Sequence, residues 1–337
     1  MFRQLLTKAP PMRAMTSILF ATAALMTAGA SAAADVALTD GGWDYVSFDA
    51  ASHSVLAGRS QGASVIDVTT GKARLVGVAL VRNHQALSLN GGKEILITSG
   101  QMGEVGFVDG VTGEVTTRLK VGKKPDAAVI DPATGLVFVM DNADGGIDVV
   151  DPKSHTLAGH IVTPGALEAA AVDGQGRLYV NVEDKNEVVV VDTRAKTVLA
   201  HYPLTGCDGP TGLALDTKSA RLVSACANKV AVVTDTATGA IKGTLAIGPG
   251  PDGAAFDPKS GLVFVPTGRD GKLTAIDAAA VKVVKILESE KSARTGDLDP
   301  VGGVFYSVAA KFEAPKPGVA RAPAIPGTVH LVAVSIR

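Results

Sequence analysis

The stretch GLVFVMDNADGGIDVVDP, residues 135–152, is repeated in outline by GRLYVNVEDKNEVVVVDT, residues 176–193. In both stretches an apolar run leads into a polar loop, and a second apolar run ends at an aspartate. The same outline extends along the chain. An apolar strand that ends in Asp or Asn recurs every 41–43 residues, at Asp49, Asn90, Asp131, Asp173, Asp216, Asp257 and Asp299. A second marker, the aspartate that closes a later strand, recurs every 41–43 residues at Asp67, Asp109, Asp151, Asp192, Asp235 and Asp277.

Each repeat contains four short apolar runs separated by turns such as PATG and PKSG. Gly, Asp and Asn in these turns supply the positive φ and the local side-chain bonds that tight hairpins need. Four antiparallel strands in a unit of about 42 residues are typical of a propeller blade. Seven first markers therefore predict an all-β, seven-bladed β-propeller. The repeated aspartates are expected to bind the backbone amides of their turns.

The seventh repeat is incomplete. VFYSVAA (304–310) and TVHLVAVSIR (328–337) supply its second and third strands, and the sequence ends there. At the other end, DVALT (Asp35–Thr39) precedes the first strand of blade one. We expect this segment to be the outer strand of blade seven, because such closure removes an open sheet edge.

The first 34 residues read as a secretory signal peptide. Arg3, Lys8 and Arg13 precede the apolar run SILFATAALMTA, and small residues follow up to Ala34. This pattern predicts cleavage after Ala34 or Ala32 and export to the periplasm, because the run is short for a membrane anchor. Residues 35–337 form the predicted propeller domain, in which no later segment approaches a transmembrane helix. We expect a monomer.

The charge and the cysteines narrow the class of protein further. The net charge of −1 gives no basic field for nucleic acid. Cys207 and Cys226 are the two cysteines, and in an exported chain such a pair favours a disulfide, here within blade five. A thiolate metal site is the alternative, which the wide spacing argues against.

The segment Leu178-Tyr179-Val180-Asn181 resembles the YVTN-type repeat of bacterial exported β-propellers, the YncE-like group. The resemblance extends over residues 35–337 and concerns the fold. Members of this group are mostly known as binding or scaffold proteins without a shared catalytic motif. The resemblance therefore implies a binding role, and the site must be argued from this chain's own residues.

The residue five positions before each first marker is polar in all seven repeats: Asp44, Gln85, Asp126, Glu168, Thr211, Asp252 and Arg294. The next position is small in most repeats, which lets the first strands crowd around the axis. We therefore predict a polar ring at the mouth of the central channel, with His84 just outside it. Loops between second and third strands share this face and offer Arg59, Asn142, Glu183 and Arg269.

The ring allows three interpretations. It is a binding surface for a small molecule or an envelope protein, which is the function we favour. Alternatively, Asp126, Glu168 and Asp252 hold a hard cation such as Ca²⁺, and a lactonase-like hydrolase uses it with His84 as base and Arg294 as anion clamp. In the third interpretation, seven polar residues simply cap strand ends at a wet rim. No nucleophile elbow, phosphate-binding loop, haem or zinc motif occurs in the sequence.

Two further features stand out. The loop between the second and third strands of blade seven carries about 16 extra residues, 311–326, with four prolines. Long loops of this kind are often binding elements, although a plain surface insertion is the alternative. Asp297 breaks the small and apolar pattern of its strand, so we expect it either to pair with Arg294 or to be a buried acid.

Overall fold

The computed structural model describes Met1 and residues 36–143, 145–314 and 322–337. The predicted signal peptide therefore lies outside the described residues, apart from Met1. Seven separate antiparallel sheets follow one another along the chain, six with four strands and the last with three. The predicted all-β, seven-bladed β-propeller is confirmed. No helix in the described ranges has the length and apolar character needed to cross a membrane.

The strands are numbered in chain order. The first strands of the blades are β1 (Trp43–Asp49), β5 (Asn83–Leu89), β9 (Pro125–Asp131), β13 (Leu167–Val172), β17 (Pro210–Asp216), β21 (Ala255–Asp257) and β25 (Gly296–Asp299). The second strands are β2 (Ser54–Arg59), β6 (Glu94–Ser99), β10 (Leu136–Asp141), β14 (Arg177–Val182), β18 (Arg221–Cys226), β22 (Leu262–Thr267) and β26 (Val304–Ala309). The third strands are β3 (Gln61–Asp67), β7 (Glu104–Asp109), β11 (Gly146–Asp151), β15 (Glu187–Asp192), β19 (Val230–Asp235), β23 (Lys272–Asp277) and β27 (His330–Ser335). The outer strands are β4 (Lys72–Val81), β8 (Val115–Lys120), β12 (Thr156–Val162), β16 (Thr197–Pro203), β20 (Ile241–Ala246) and β24 (Lys282–Glu288). One 3₁₀ turn, Glu183–Lys185, follows β14.

The core lies between the blades. The second and third strands of the blades are mostly buried on both faces, least so in β27, so their side chains pack against the preceding and the following blade. Phe107, Phe138, Phe264 and Phe305 are fully buried there. Burying one such ring stabilises the fold by about 2–3 kcal/mol. The outer strands alternate between exposed and half-buried residues, which matches their position at the rim.

The repeated aspartates have the predicted structural role. Asp67 accepts hydrogen bonds from the amides of Thr69 and Thr70 at 2.8 and 3.0 Å, and the other five make equivalent bonds in their own turns. Each bond to the carboxylate favours the charged form, and accordingly the pKa of Asp67 is lowered. The aspartates of the second marker therefore stabilise the turns that follow the third strands.

The N-terminal segment lies beside blade seven. The Leu38 amide donates to the Val329 carbonyl at 2.8 Å, and the Leu331 amide donates to the Val36 carbonyl at 2.9 Å. These bonds form an isolated bridge between Ala37 and His330, and the sheet of blade seven itself has three strands. Closure of the blade by a full N-terminal strand stays a prediction.

Small residues bring the first strands close together around the axis, as the sequence predicted. The backbone of Gly212 in β17 lies against that of Gly253, so that a Cβ on Gly212 would stand 2.4 Å from the Gly253 carbonyl carbon. No larger side chain fits at this point. The crowding sets the diameter of the channel.

The predicted disulfide is present. Cys207, in the connection that enters blade five, is bonded to Cys226 at the end of β18, with a Cα–Cα distance of 5.5 Å. The bond closes a loop with a sequence separation of 19 residues. In the chain-entropy account a loop of that size contributes about 3 kcal/mol.

The insertion of blade seven pairs with itself where the structure describes it. Phe312 and Ala324 form a bridge, flanked by bonds from the Glu313 amide to Pro323 and from the Ile325 amide to Lys311. Its described ends, 311–314 and 322–326, contain no regular strand, as its prolines predict. Residues 315–321 lie outside the described residues.

Candidate functional site

Three side chains from consecutive blades meet at the channel mouth. Asp44 of β1, His84 of β5 and Asp126 of β9 bring one ligand atom each to within 4.8 Å of the others. His84 Nδ1 lies 2.6 Å from Asp44 Oδ2 and 3.4 Å from Asp126 Oδ1. The side chains are 26%, 12% and 6% exposed for Asp44, His84 and Asp126 respectively. We call this group the mouth triad.

Two glycines make room for the histidine of the mouth triad. A Cβ on Gly100 would stand 2.7 Å from His84 Nε2, and a Cβ on Gly58 would stand 2.1 Å from the His84 carbonyl oxygen. The imidazole is therefore held with Nδ1 toward the carboxylates. Its Nε2 is buried and has no hydrogen-bond partner among the residues that the structure describes.

Burial and neighbouring charges shift the protonation of the mouth triad. Burial raises the pKa of Asp126 to about 6, with the charges of Asp44 and Asp252 adding to the rise and those of His84 and Lys124 opposing it. Burial by itself lowers the pKa of His84, but the bond to Asp44 and the charge of Asp126 outweigh it, so this pKa is raised. Asp126 therefore keeps its proton to a higher pH than an ordinary aspartate does, and His84 stays protonated to a higher pH than a free imidazole.

Arg294 joins blades six, seven and one at the same mouth. Its Nε donates to Asp252 Oδ2 at 2.6 Å, its Nη2 donates to the Trp43 carbonyl at 2.8 Å, and Nη2 lies 3.6 Å from Asp44 Oδ1. Burial raises the pKa of Asp252 in spite of the arginine, because Asp44 is also close. The sequence left open whether Arg294 pairs with Asp297. It does not, because Arg294 pairs with Asp252.

Glu168 receives two hydrogen bonds. Tyr45 Oη donates to Glu168 Oε2 at 3.0 Å, and Asn142 Nδ2 donates to Glu168 Oε1 at 2.7 Å. Lys124 Nζ in turn donates to Asn142 Oδ1 at 2.5 Å. Burial, together with the charges of Asp126 and Glu183, raises the pKa of Glu168 to about 9. Because Tyr45 belongs to blade one and Glu168 to blade four, the tyrosine reaches across the channel.

Tyr45 and Lys124 are not among the site residues predicted from the sequence. Tyr45 occupies the position four before the first marker, where other blades carry small residues: Ala86, Ala127, Ala169, Gly212 and Gly253. A large aromatic residue at a position that is small in the other repeats could have indicated a functional side chain from the sequence. Lys124 lies outside the repeating positions, so no pattern distinguishes it from other surface lysines.

A cavity of about 190 Å³ lies along the channel, lined by alanines and glycines of the first strands and by Tyr45, Gln85 and Asp297. Asp297 accepts hydrogen bonds from the amides of Phe48 and Leu298 at 2.9 and 2.8 Å. Burial raises its pKa. Asp297 is thus a buried acid, which was the other prediction for this residue. Its bond to the Phe48 amide connects blade seven to blade one.

Four of the other predicted site residues have different surroundings. Gln85 is buried and lines the channel cavity. Arg59 is also buried and donates to the carbonyls of Thr39, Gly41 and Gly42, so it holds the N-terminal segment. Glu183 opens the 3₁₀ turn and acts on Glu168 by its charge. Arg269 is exposed beside Gly250.

The set of residues within reach of one ion differs from the predicted set. Sequence analysis proposed Asp126, Glu168 and Asp252. In the described part of the chain, Asp126 shares its site with Asp44 and His84, whereas Glu168 bonds to Tyr45 and Asp252 to Arg294. An imidazole therefore replaces one of the expected carboxylates.

Stability should depend on pH through Glu168. Its pKa of about 9 is far above the unfolded value near 4.3, so the folded state binds the extra proton and stability is lost as pH rises through this range. Glu168→Gln keeps the shape without the charge, and Tyr45 Oη can accept from the new amide. The free energy of unfolding is measured in urea for the variant and the wild type. We expect the difference between them to move in favour of the variant by at least about 1 kcal/mol from pH 5 to pH 9.

The control for this experiment is Glu114→Gln, which changes an exposed glutamate outside the mouth. It should follow the wild type at both pH values. If Glu168→Gln also follows the wild type, Glu168 is ionised in the fold and the burial argument is wrong.

Fold and site together define the class of protein: a seven-bladed β-propeller with a charged, partly desolvated channel mouth. The sequence is 27% identical over 218 residues to the uncharacterized protein YncE of Salmonella typhimurium, covering 59% of this chain and 61% of that protein. The chain is thus similar to a YncE protein, as its resemblance to the YncE-like group predicted. The match spans about three fifths of the length of this curated relative.

A comparison of structures agrees on the fold. Hydrazine synthase of Kuenenia stuttgartiensis superposes with a TM-score of 0.71, covering 89% of this chain and 98% of that one. At 14% sequence identity this likeness concerns the fold alone. No family model matches the chain.

Proposed function

We propose that this chain is a binding propeller of the bacterial periplasm whose channel mouth takes a divalent metal ion. The observation that carries the proposal is the mouth triad, in which Asp44, His84 and Asp126 bring their donor atoms within 4.8 Å of one another. Three blades supply one donor each, so the rigid packing of the blades holds the donors in place. The fold relationship to a YncE-like propeller supports a binding or scaffold role.

The donor set favours a transition metal. Two carboxylates and one imidazole suit Zn²⁺ and its neighbours, whereas Ca²⁺ prefers oxygen ligands alone. The Ca²⁺ of the sequence prediction relied on an all-carboxylate set. A metal with three protein ligands keeps a further position open, so a small molecule or a side chain of an envelope protein can complete the shell.

The periplasm is proposed from two features of the chain. The first 34 residues have the charge and hydropathy pattern of a secretory signal peptide. The Cys207–Cys226 disulfide is of the kind that persists in oxidising compartments. Both features also agree with the export of the YVTN-type propellers that the sequence resembles.

A second candidate function is metal-assisted hydrolysis of a lactone or ester. It is favoured by the closeness of Arg294, whose Nη2 lies 3.6 Å from Asp44 of the mouth triad. In that role the open metal position would hold the water, and Arg294 would face the developing negative charge. Hydrolysis of a simple lactone by the zinc-loaded protein, lost in Arg294→Met with zinc still bound, would favour this candidate over pure binding.

Zinc binding tests the proposed function directly. We expect equilibrium dialysis of the purified chain to give one Zn²⁺ per molecule. His84→Asn and Asp126→Asn should each weaken the affinity about 100-fold or more, because losing a ligand costs at least as much as losing its outer-shell partners.

Matched control substitutions are available on exposed positions. His53→Asn and Asp208→Asn change the same residue types outside the mouth, where both residues are exposed. They should bind zinc like the wild type. No stoichiometric zinc, or equal affinity in all four variants, would show that the mouth triad is only an ion pair.

A further inference from the structure

A second cavity opens beside the channel mouth. It has a volume of about 500 Å³ and lies between the N-terminal segment and the insertion of blade seven, and its lining includes Asp40, Trp43, Arg294, Phe312, Pro323 and Pro326. This volume is within the range of small-molecule sites. We call it the aromatic cleft.

Its walls suit a flat apolar ring. The rings of Trp43 and Phe312 have centroids 6.3 Å apart and are tilted by 48°. The prolines at 323 and 326 are rigid and exposed, and they lie on the same cleft as the two rings. Aromatic rings prefer tilted or offset neighbours at centroid distances of about 4.5–7 Å, so a third ring can join this pair.

Two hydrogen-bond donors of the residues that line the cleft make no hydrogen bond within the described residues, and they differ in burial. Trp43 is 7% exposed, and its buried indole Nε1 has no partner among the described residues. The Arg294 guanidinium lies 5.8 Å from the Trp43 ring centroid. Its Nε and Nη2 are bonded to Asp252 and to the Trp43 carbonyl, while no bond to Nη1 is found in the described part of the chain. The indole Nε1 is closed off from solvent, whereas Arg294 Nη1 is not among the buried atoms without a partner and can donate to an acceptor supplied from outside.

The charges around the cleft limit what that acceptor can be. Arg294 already faces Asp252 at 2.6 Å and Asp44 at 3.6 Å, and Asp40 also lines the cleft. An anionic ligand would meet these carboxylates as well as the guanidinium, so its charge would bring no net gain. An uncharged carbonyl accepts a hydrogen bond from Arg294 without that repulsion.

We propose that the aromatic cleft binds an uncharged small molecule made of a planar aromatic ring with a carbonyl acceptor. The ring packs against Trp43, Phe312 and the prolines, and the carbonyl accepts a hydrogen bond from Arg294. The site is separate from the metal position of the proposed function, because it needs neither His84 nor Asp126.

Nicotinamide is the probe for this site, with cyclohexanecarboxamide as its non-aromatic match and nicotinate as its anionic match. Trp43 is the only tryptophan in the sequence, so intrinsic fluorescence reports on the cleft. We expect saturable quenching and ligand-observed NMR contacts with nicotinamide, at a millimolar dissociation constant that is typical of a small fragment. Both matched compounds should bind at least about threefold more weakly, since aromatic contacts and repulsion each contribute on this scale.

Phe312→Leu removes one ring of the cleft and should weaken nicotinamide about fivefold. Phe256→Leu, a half-buried ring in blade six, is the control and should leave binding unchanged. Equal binding of the three compounds, or no difference between the two variants, would overturn the proposal. The nicotinamide titrations are carried out on chelator-treated, metal-free protein, so a failure of zinc binding and a failure of the cleft can be told apart.

Discussion

Replacing Gly212 with alanine is expected to destabilise the propeller by about 3 kcal/mol or more. The new methyl group would stand 2.4 Å from the carbonyl carbon and 2.6 Å from the carbonyl oxygen of Gly253. Both contacts are with backbone, so no side chain can turn away to relieve them. The first strands of blades five and six would have to separate, and the remaining blades would lose their even spacing around the axis. Urea unfolding of the variant and the wild type measures the loss.

The control for Gly212→Ala is a substitution at a glycine that has a positive φ but has room for a Cβ. Gly135 has φ +72°, and a Cβ there would meet nothing within 4 Å. Gly135→Ala should therefore cost only the strain of a left-handed alanine, about 1–2 kcal/mol. If Gly212→Ala costs no more than Gly135→Ala, the axis is softer than the close approach of the two backbones indicates.

The number of blades was predictable because the same turn requirement recurs in each blade. A tight turn after the third strand needs a carboxylate to bind its amides, and Asp67 and Asp277 do this 210 residues apart. Such a requirement leaves a mark at every repeat. Blade seven was harder, since the segment that covers its outer edge is an isolated bridge at Ala37 and carries no repeat marker.

The residues around the channel mouth were predictable for a related reason. Repeats of nearly equal length bring equivalent positions of the blades to the same height, so one polar column lies around one channel mouth. The partners within the ring were not predictable. They depend on which way each side chain turns, and Asp126 turned toward His84 while Glu168 turned toward Asn142 and Tyr45.

These partners form a chain of contacts between blades. Asp252 of blade six bonds to Arg294 of blade seven, which approaches Asp44 of blade one, and Asp44 bonds to His84 of blade two. The ring therefore has a structural function as well as a proposed binding function. A ligand would be held by groups whose positions the blades already determine, which is the usual meaning of a preorganised site.

The ion pair between Arg294 and Asp252 is the basis of the second prediction with a large expected effect on stability. We expect Arg294→Met to cost about 2–3 kcal/mol at pH 8, somewhat below the value for a fully buried pair, because Arg294 and Asp252 are 22% and 28% exposed. The variant loses the bond to the Trp43 carbonyl and leaves Asp252 without its cation. Methionine keeps most of the side-chain volume, so packing changes little.

The loss should shrink at low pH, and the direction follows from Asp252. Burial already raises the pKa of this carboxyl, and Arg294 is the charge that opposes the rise. Without Arg294 the folded pKa moves further above the unfolded value near 3.9, so the folded variant takes up a proton that the unfolded chain does not hold. Stability of the variant is then present at low pH and is lost as pH rises through the folded pKa. The difference from the wild type should be small at pH 4.5 and full at pH 8.

Urea unfolding at the two pH values tests this, with the double variant Asp252→Asn/Arg294→Met as the control. The double variant removes the unpaired charge, so it should recover at least about 1 kcal/mol of the loss at pH 8 and show a weaker pH dependence. An equal loss at both pH values, without recovery in the double variant, would show that Arg294 acts through its bond to the Trp43 carbonyl and its packing. In that case the channel mouth is held together by neutral contacts, and the charge of Asp252 is free to serve a ligand.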